Sequence, residues 1–87
     1  MNKGLTVNVF ELETGLDTYE SVEYVRVTSK DYNLLIMLDH EPIIGEIRGK
    51  VDIKTSDGEE KTFENIKASF MNSHNVFNLM IQGELNE

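Results

Sequence analysis

The chain has 87 residues, a length that supports one domain and not two. Its net charge is −8 and no Lys/Arg cluster relieves it, so the surface repels nucleic acid and anionic lipid alike. There is no cysteine, which excludes disulfides, cysteine nucleophiles and thiolate metal sites and fits a reducing cytosol. The hydrophobic fraction of 39% and charged fraction of 28% are those of a folded domain rather than a disordered tail. A domain of this size buries only ~60–65% of its extended-chain surface, so its core is modest. No apolar run approaches the ~20 residues of a membrane span, and the N-terminus lacks a signal-peptide core. A soluble protein is expected, reaching a membrane only if another protein holds it there.

Leu5-Thr6-Val7-Asn8-Val9 alternates apolar and polar, the period of a half-buried strand, and Phe10-Glu11-Leu12 extends it. Thr14-Gly15-Leu16-Asp17 reads as a turn. A second strand runs from about Tyr19 to Thr28, with Val22, Tyr24 and Arg26 on one face and Glu23, Val25 and Val27 on the other. Ser29 to Asn33 is polar and loop-like. Leu34-Leu35-Ile36-Met37-Leu38 is apolar on both alternations, so it is expected to be covered above and below, clamped inside a layered structure. Asp39-His40-Glu41-Pro42 then turns the chain with its only proline.

Ile43 to Ile47 is a short apolar piece expected to bend at Gly45. Val51, Ile53 and Thr55 alternate with Asp52 and Lys54 as a strand. Asp57-Gly58 is the strongest hairpin signal in the chain. Lys61 to Ile66 returns from it, with Phe63 as a core candidate, and Ala68, Phe70 and Met71 continue the apolar side. Asn72 to Asn75 is a tight turn, and Val76 to Ile81 is a last strand. No segment sustains a helical period. Turns recur every ten residues or so between short strands, which means a β-sandwich or a barrel. One domain is expected over residues 1–82, with a polar stub at 83–87.

Chemistry-bearing residues are few. His40 lies in a charged turn and His74 among asparagine and serine, with no further ligands at metal-site spacing. Asp39, His40 and Glu41 could form an acid–base cluster, but adjacent turn residues point apart and no nucleophile elbow is present. Asp57-Gly58-Glu59-Glu60 lacks calcium-loop spacing and reads as a solvated hairpin tip. Met37, Met71 and Met80 read as core filler. Gly45 and Gly49 are not followed by the Lys-Ser or Lys-Thr of a phosphate loop. No enzyme, cofactor or metal is expected, only a β-domain whose turns meet a partner.

As an ordered set these residues resemble the N-terminal β-sandwich domain of the F-type ATP synthase epsilon subunit, called delta in mitochondria. Ile36 to Ile44 matches the family's apolar strand, turn and paired aliphatics, with His40-Glu41-Pro42 as its histidine-x-proline. Arg48-Gly49, Val51-Asp52-Ile53 and Asp57-Gly58-Glu59-Glu60 match the following basic-glycine pair, strand and charged hairpin. Phe70, Asn72 to Asn75 and Val76 to Ile81 match the last turn and strand. Val7-Asn8-Val9 and Val22 to Val27 match the first two strands. The similarity covers about Leu5 to Ile81. Tyr32 and Leu35 stand at family glycines, Leu38 at a family proline, Ala68-Ser69 at a glycine pair, and the region around Arg48 is one residue short. The family's C-terminal helical hairpin has no counterpart before Glu87, so an inhibitory or ATP-sensing role is expected to be missing.

The resemblance implies a two-layer β-sandwich of about ten short strands acting in the central stalk. One face packs on the gamma subunit, and loops at one end touch the c-ring. By position the ring side comprises Lys30, Asp31, Tyr32, Asp39, His40, Glu41 and Pro42, with Asp31 facing the ring's polar loops. The implied setting is cytoplasmic and peripheral to the membrane through the complex. The alternative is a free-standing β-module for a small ligand or a protein.

Overall fold

The computed structural model describes residues 4–85. The described chain is all-β, with six strands: β1 (Leu5–Glu11), β2 (Gly15–Ser29), β3 (Asn33–Ile36), β4 (Ile43–Thr55), β5 (Glu60–Ser73) and β6 (Val76–Glu84). β1 is the closing element. It runs antiparallel to the first half of β2 and parallel to β6, so the order β1-β6-β5-β4-β2 returns to its start. The result is a five-stranded barrel with β3 added on β2. The expected ten-strand, two-layer sandwich is therefore corrected to six strands in a closed barrel. The physical reason lies in β2, β4 and β5, of 15, 13 and 14 residues. Each runs continuously past points that look like breaks in the sequence. β4 passes straight through Gly45, and β6 runs into the expected polar stub as far as Glu84.

A narrow barrel has room for one face of each strand. Leu5, Val7 and Val9 of β1, Ile47, Val51 and Ile53 of β4, and Phe77, Leu79 and Ile81 of β6 fill it. The rings of Phe70 and Phe77 stack at 5.4 Å between centroids and 20° between planes. On β2, Val22 is buried together with Val25 and Val27, although strict alternation puts it on the opposite face. A bulge explains this: the register shifts between Val22 and Tyr24, next to Ser21 at φ 56°. Gly49 marks a second irregularity. A Cβ there would lie 2.0 Å from the Thr28 carbonyl oxygen, so only glycine allows the two backbones to approach.

The turns follow their residues. His74 and Asn75 take φ 52° and 64° between β5 and β6, the two-residue hairpin whose twist matches its strands. At the Asp57-Gly58 tip, Gly58 takes φ 98° and its N–H donates to the Thr55 carbonyl at 3.1 Å. The Asp57 carboxylate accepts from the Thr55 hydroxyl and from the Glu59 N–H, and these bonds hold its pKa below the usual carboxylate value. One polar side chain is buried among the described residues: Asn72, which is 1% exposed and has no partner at Nδ2 or Oδ1. It sits between Ile43 of β4 and Phe77 of β6 in register.

The apolar run Leu34 to Leu38 departs most from expectation. It is not clamped. Only Ile36 is buried; Leu35, Met37 and Leu38 are 42%, 49% and 44% exposed. Three residues of the run, Leu34 to Ile36, lie in β3, which among the described residues has β2 as its sole strand neighbour. Its outer face has no second layer because the barrel closes through β1.

Candidate interaction surface

The outward side chains of the barrel wall are set by the same registers that fill its core. Across one row, Leu16 of β2 pairs with Phe10 of β1, and Phe10 with Met80 of β6. In the next row Met71 of β5 pairs with Ile44 of β4. Met80 pairs with Ser69 and Met71 with Asn78, so the two methionines are diagonal neighbours on one face. An apolar stripe thus crosses five strands, and its most open member, Ile44, is 75% exposed. Phe10, Leu16, Met71, Met80 and Ile44 line a shallow apolar groove of about 340 Å³. Beside it a polar ladder fixes the wall: Thr18 Oγ1 donates to Asn8 Oδ1 at 2.9 Å, and Asn8 Nδ2 to Asn78 Oδ1 at 3.0 Å. A patch of this extent exceeds the scattered apolar residues normal on a monomer surface.

Met71 and Met80 were read from sequence as core filler and stand instead on this outer face, 48% and 53% exposed. Met37 is likewise outside. Strand alternation reports two faces but not which one is inside, and a bulge can exchange them. The signal that could have found the stripe is the co-alignment of Phe10, Met80 and Met71 once β1 is paired with β6.

The turn residues named from sequence divide into two groups. Lys30, Asp31 and Tyr32 form the β2–β3 turn; Asp39, His40, Glu41 and Pro42 lie between β3 and β4. Six residues, Asn33 to Leu38, separate them, and the four of β3 alone span about 13 Å of extended chain. The Tyr32 hydroxyl donates to the Glu46 carbonyl of β4. Burial pushes its pKa up, and the Glu46 charge adds to this against a lowering bond from Ser29. In the second group the Asp39 N–H donates to Asn75 Oδ1 at 2.7 Å, tying the loop to the β5–β6 hairpin. The Asp39 carboxylate accepts from Asn75 Nδ2 at 3.4 Å, while His40 Nδ1 lies 2.7 Å from the Glu41 carbonyl oxygen. Asp39 and His40 thus face different partners and do not form an acid–base pair. His74 Nδ1 meets Ser73 Oγ at 2.9 Å.

At one end of the barrel Glu11, Glu13, Glu64 and Glu84 rim an open groove of about 860 Å³. Among the described residues no three His, Cys, Asp or Glu side chains are placed to hold a metal ion. No helix among them is long and apolar enough to cross a membrane. Compared with known proteins, the chain matches no family model and no curated protein.

Proposed function

We propose that this chain is a non-catalytic central-stalk subunit of an F-type ATP synthase or ATPase, linking gamma to the c-ring in proton- or sodium-driven ATP synthesis. The observation that carries the reading is the outer apolar stripe of Leu16, Phe10, Met80, Met71 and Ile44. A stalk subunit needs one wall that a neighbour covers, and it needs stiffness. A closed barrel supplies the stiffness, because every strand except the short β3 is paired on both sides over part of its length. The sequence resemblance to the epsilon family, centred on His40-Glu41-Pro42, supplies the identity of the neighbour.

In this reading the stripe packs on gamma. The ring side is Lys30, Asp31 and Tyr32 together with Asp39, His40, Glu41 and Pro42, two exposed turns of mostly acidic character. Charge at such a rim speeds docking and fixes orientation more than it adds affinity. The protein works in the cytoplasm, at the membrane surface through its complex.

The groove beside Phe10 and Met80 favours a second reading, a free-standing module that takes an apolar ligand or peptide there. One experiment separates the two. The purified chain is mixed with the gamma subunit of the same organism's F-type ATPase and run by gel filtration. A 1:1 complex that Ile44→Asp abolishes supports the rotor. No complex with gamma, combined with saturable binding of an apolar dye that Met80→Asp abolishes, supports the module.

A further inference from the structure

We propose that the wall carrying the outer apolar stripe docks an amphipathic helix of a partner protein, acidic along the border that meets Arg48 and Lys67. This rests on the reading that a partner covers the stripe, and it names that partner's chemistry. The sequence scatters its cations, and strand register gathers them. Arg48 of β4 stands directly opposite Lys67 of β5. Both are exposed on the outer face that holds Ile44, Glu46, Ser69 and Met71, with no register shift between them. Lys50 follows Arg48 on that face, two residues further along β4. The Lys30 N–H donates to the Arg48 carbonyl at 2.9 Å, which sets the exposed Lys30 alongside. Four of the chain's eight cations thus meet at one border of the stripe.

The Arg48–Lys67 pair is the informative one. The Arg48 N–H donates to Ser29 Oγ at 2.9 Å and its carbonyl accepts from Lys30, so both backbone groups of Arg48 point away from β5. Arg48 and Lys67 are therefore a non-hydrogen-bonded pair, the kind that brings facing side chains closest. Like charges directly opposed across strands are destabilising. On a chain with 16 acids and 8 bases, two cations in that position leave a local need for negative charge. Glu46 faces Ser69, Asp31 adjoins Lys30, and Glu64 lies beside the irregular step in β5; none is the cross-strand partner of Arg48 or Lys67. Beyond Lys67 comes Gly83 of β6, where an added Cβ would meet nothing within 4 Å, so a carboxylate has room beside the lysine.

Backbone pairing selects a helix. From Leu16 to Ile44 the wall runs β2, β1, β6, β5, β4, and each of the three middle strands is paired on both sides. The middle of the wall therefore offers side chains and no free backbone edge, and an occupant must satisfy its own N–H and C=O groups. A helix does so within one segment and lays its apolar face into a groove such as the one lined by Phe10, Met71 and Met80. Four strand spacings make the stripe about 19 Å long, about 13 residues of helix. Rows on one face lie about 7 Å apart, and a helix with its side chains is about 10 Å across, so a helix over the two apolar rows reaches the Arg48–Lys67 row with its flank. The opposite border, formed by Thr6, Val76 and Ser73, carries no charge. Only one flank of the helix thus needs carboxylates. The net charge of −8 does not reverse this at physiological salt, because exposed charges more than about 8 Å away are largely screened.

The test uses the whole chain and two capped, leucine-faced helical peptides of about 13 residues, one with glutamates along one border and one with lysines there. In about 0.15 M salt the glutamate peptide is expected to bind saturably and about tenfold more tightly than the lysine peptide. Lys67→Glu is expected to erase that preference, Arg48→Glu with Lys67→Glu to reverse it, and Ile44→Asp to lose both peptides. Should the glutamate variants not fold, Lys67→Gln and Arg48→Gln decide, each with weaker binding of the glutamate peptide expected. Absence of binding, equal binding of the two peptides by the wild-type chain, or a preference that the Lys67 and Arg48 variants leave unchanged overturns the proposal. So does capture by phosphatidylserine vesicles that Lys67→Glu abolishes, which makes an anionic membrane the occupant. A gamma subunit that forms no complex while the peptides behave as expected overturns the rotor reading alone. A gamma complex beside equally bound peptides overturns this proposal alone.

Discussion

Asn72→Val is expected to stabilise the barrel. Asn72 is 1% exposed, and both polar atoms of its side chain lack a partner. A buried polar group left unsatisfied costs about 1–3 kcal/mol in lost solvation. Valine removes that cost and suits a strand position between Ile43 and Phe77. It has one heavy atom fewer, but its two methyl groups take somewhat more room than the amide, and accommodating them returns about 0.5 kcal/mol. The net expectation is a gain of about 0.5–2.5 kcal/mol. In a domain of this size each kcal/mol raises Tm by about 4–8 °C. Urea titration gives the free energy if the m-value is unchanged, and calorimetry at the same protein concentration gives Tm. A loss of 1 kcal/mol or more refutes the reasoning, because it means that the amide is satisfied, with an enclosed water as the nearest means.

Leu38→Pro is expected to add about 0.4–1 kcal/mol in the same urea assay. The His40 N–H donates to the Met37 carbonyl at 3.2 Å and Asp39 takes φ 65°, so Leu38 occupies the turn position that proline prefers. Tyr32 has a pKa above its ordinary value, so its contribution is complete below about pH 10 and is lost as pH rises through the folded value. Tyr32→Phe is expected to shrink that alkaline loss without removing it, since burial raises the pKa of Tyr19 as well, with Asp17 and Glu11 adding to the shift. Absorbance at 295 nm against pH, beside the melting curve, checks both. Asp57 has the opposite sign: its lowered pKa gives stability above the ordinary carboxylate range that fades as pH falls through the folded value. Asp57→Asn is expected to flatten this acid limb, read as the pH dependence of Tm.

Strand positions and turn chemistry were legible in the sequence because they are local. Alternation in Leu5 to Val9 and Val51 to Thr55, and the Asp57-Gly58 tip, needed only neighbours along the chain. Closure was not legible, because it depends on β1 meeting β6, some 70 residues away in register. That one pairing turns an open sheet into a barrel and decides which apolar residues have an inside to occupy. Leu34 to Leu38 is the clearest consequence. Its five apolar residues promised two covered faces, but nothing within the run reveals that it lies on an edge. The bulges at Ser21 and Asn65 are equally silent, since each sets an ordinary polar residue at positive φ. The outer stripe stayed hidden for a related reason: core and contact surface draw on the same residues, and methionine suits both.

The rotor reading turns on whether gamma covers the wall that carries Met71 and Met80. Methionine oxidation by dilute peroxide, mapped by mass spectrometry with and without purified gamma, reads this directly. Both side chains are half-exposed in the free chain, as is Met37 at the β3 margin, which serves as the internal reference. The account predicts that gamma protects Met71 and Met80 together and leaves Met37 reactive. Unchanged oxidation of Met71 and Met80 in a saturated mixture, or protection confined to Met37, contradicts it.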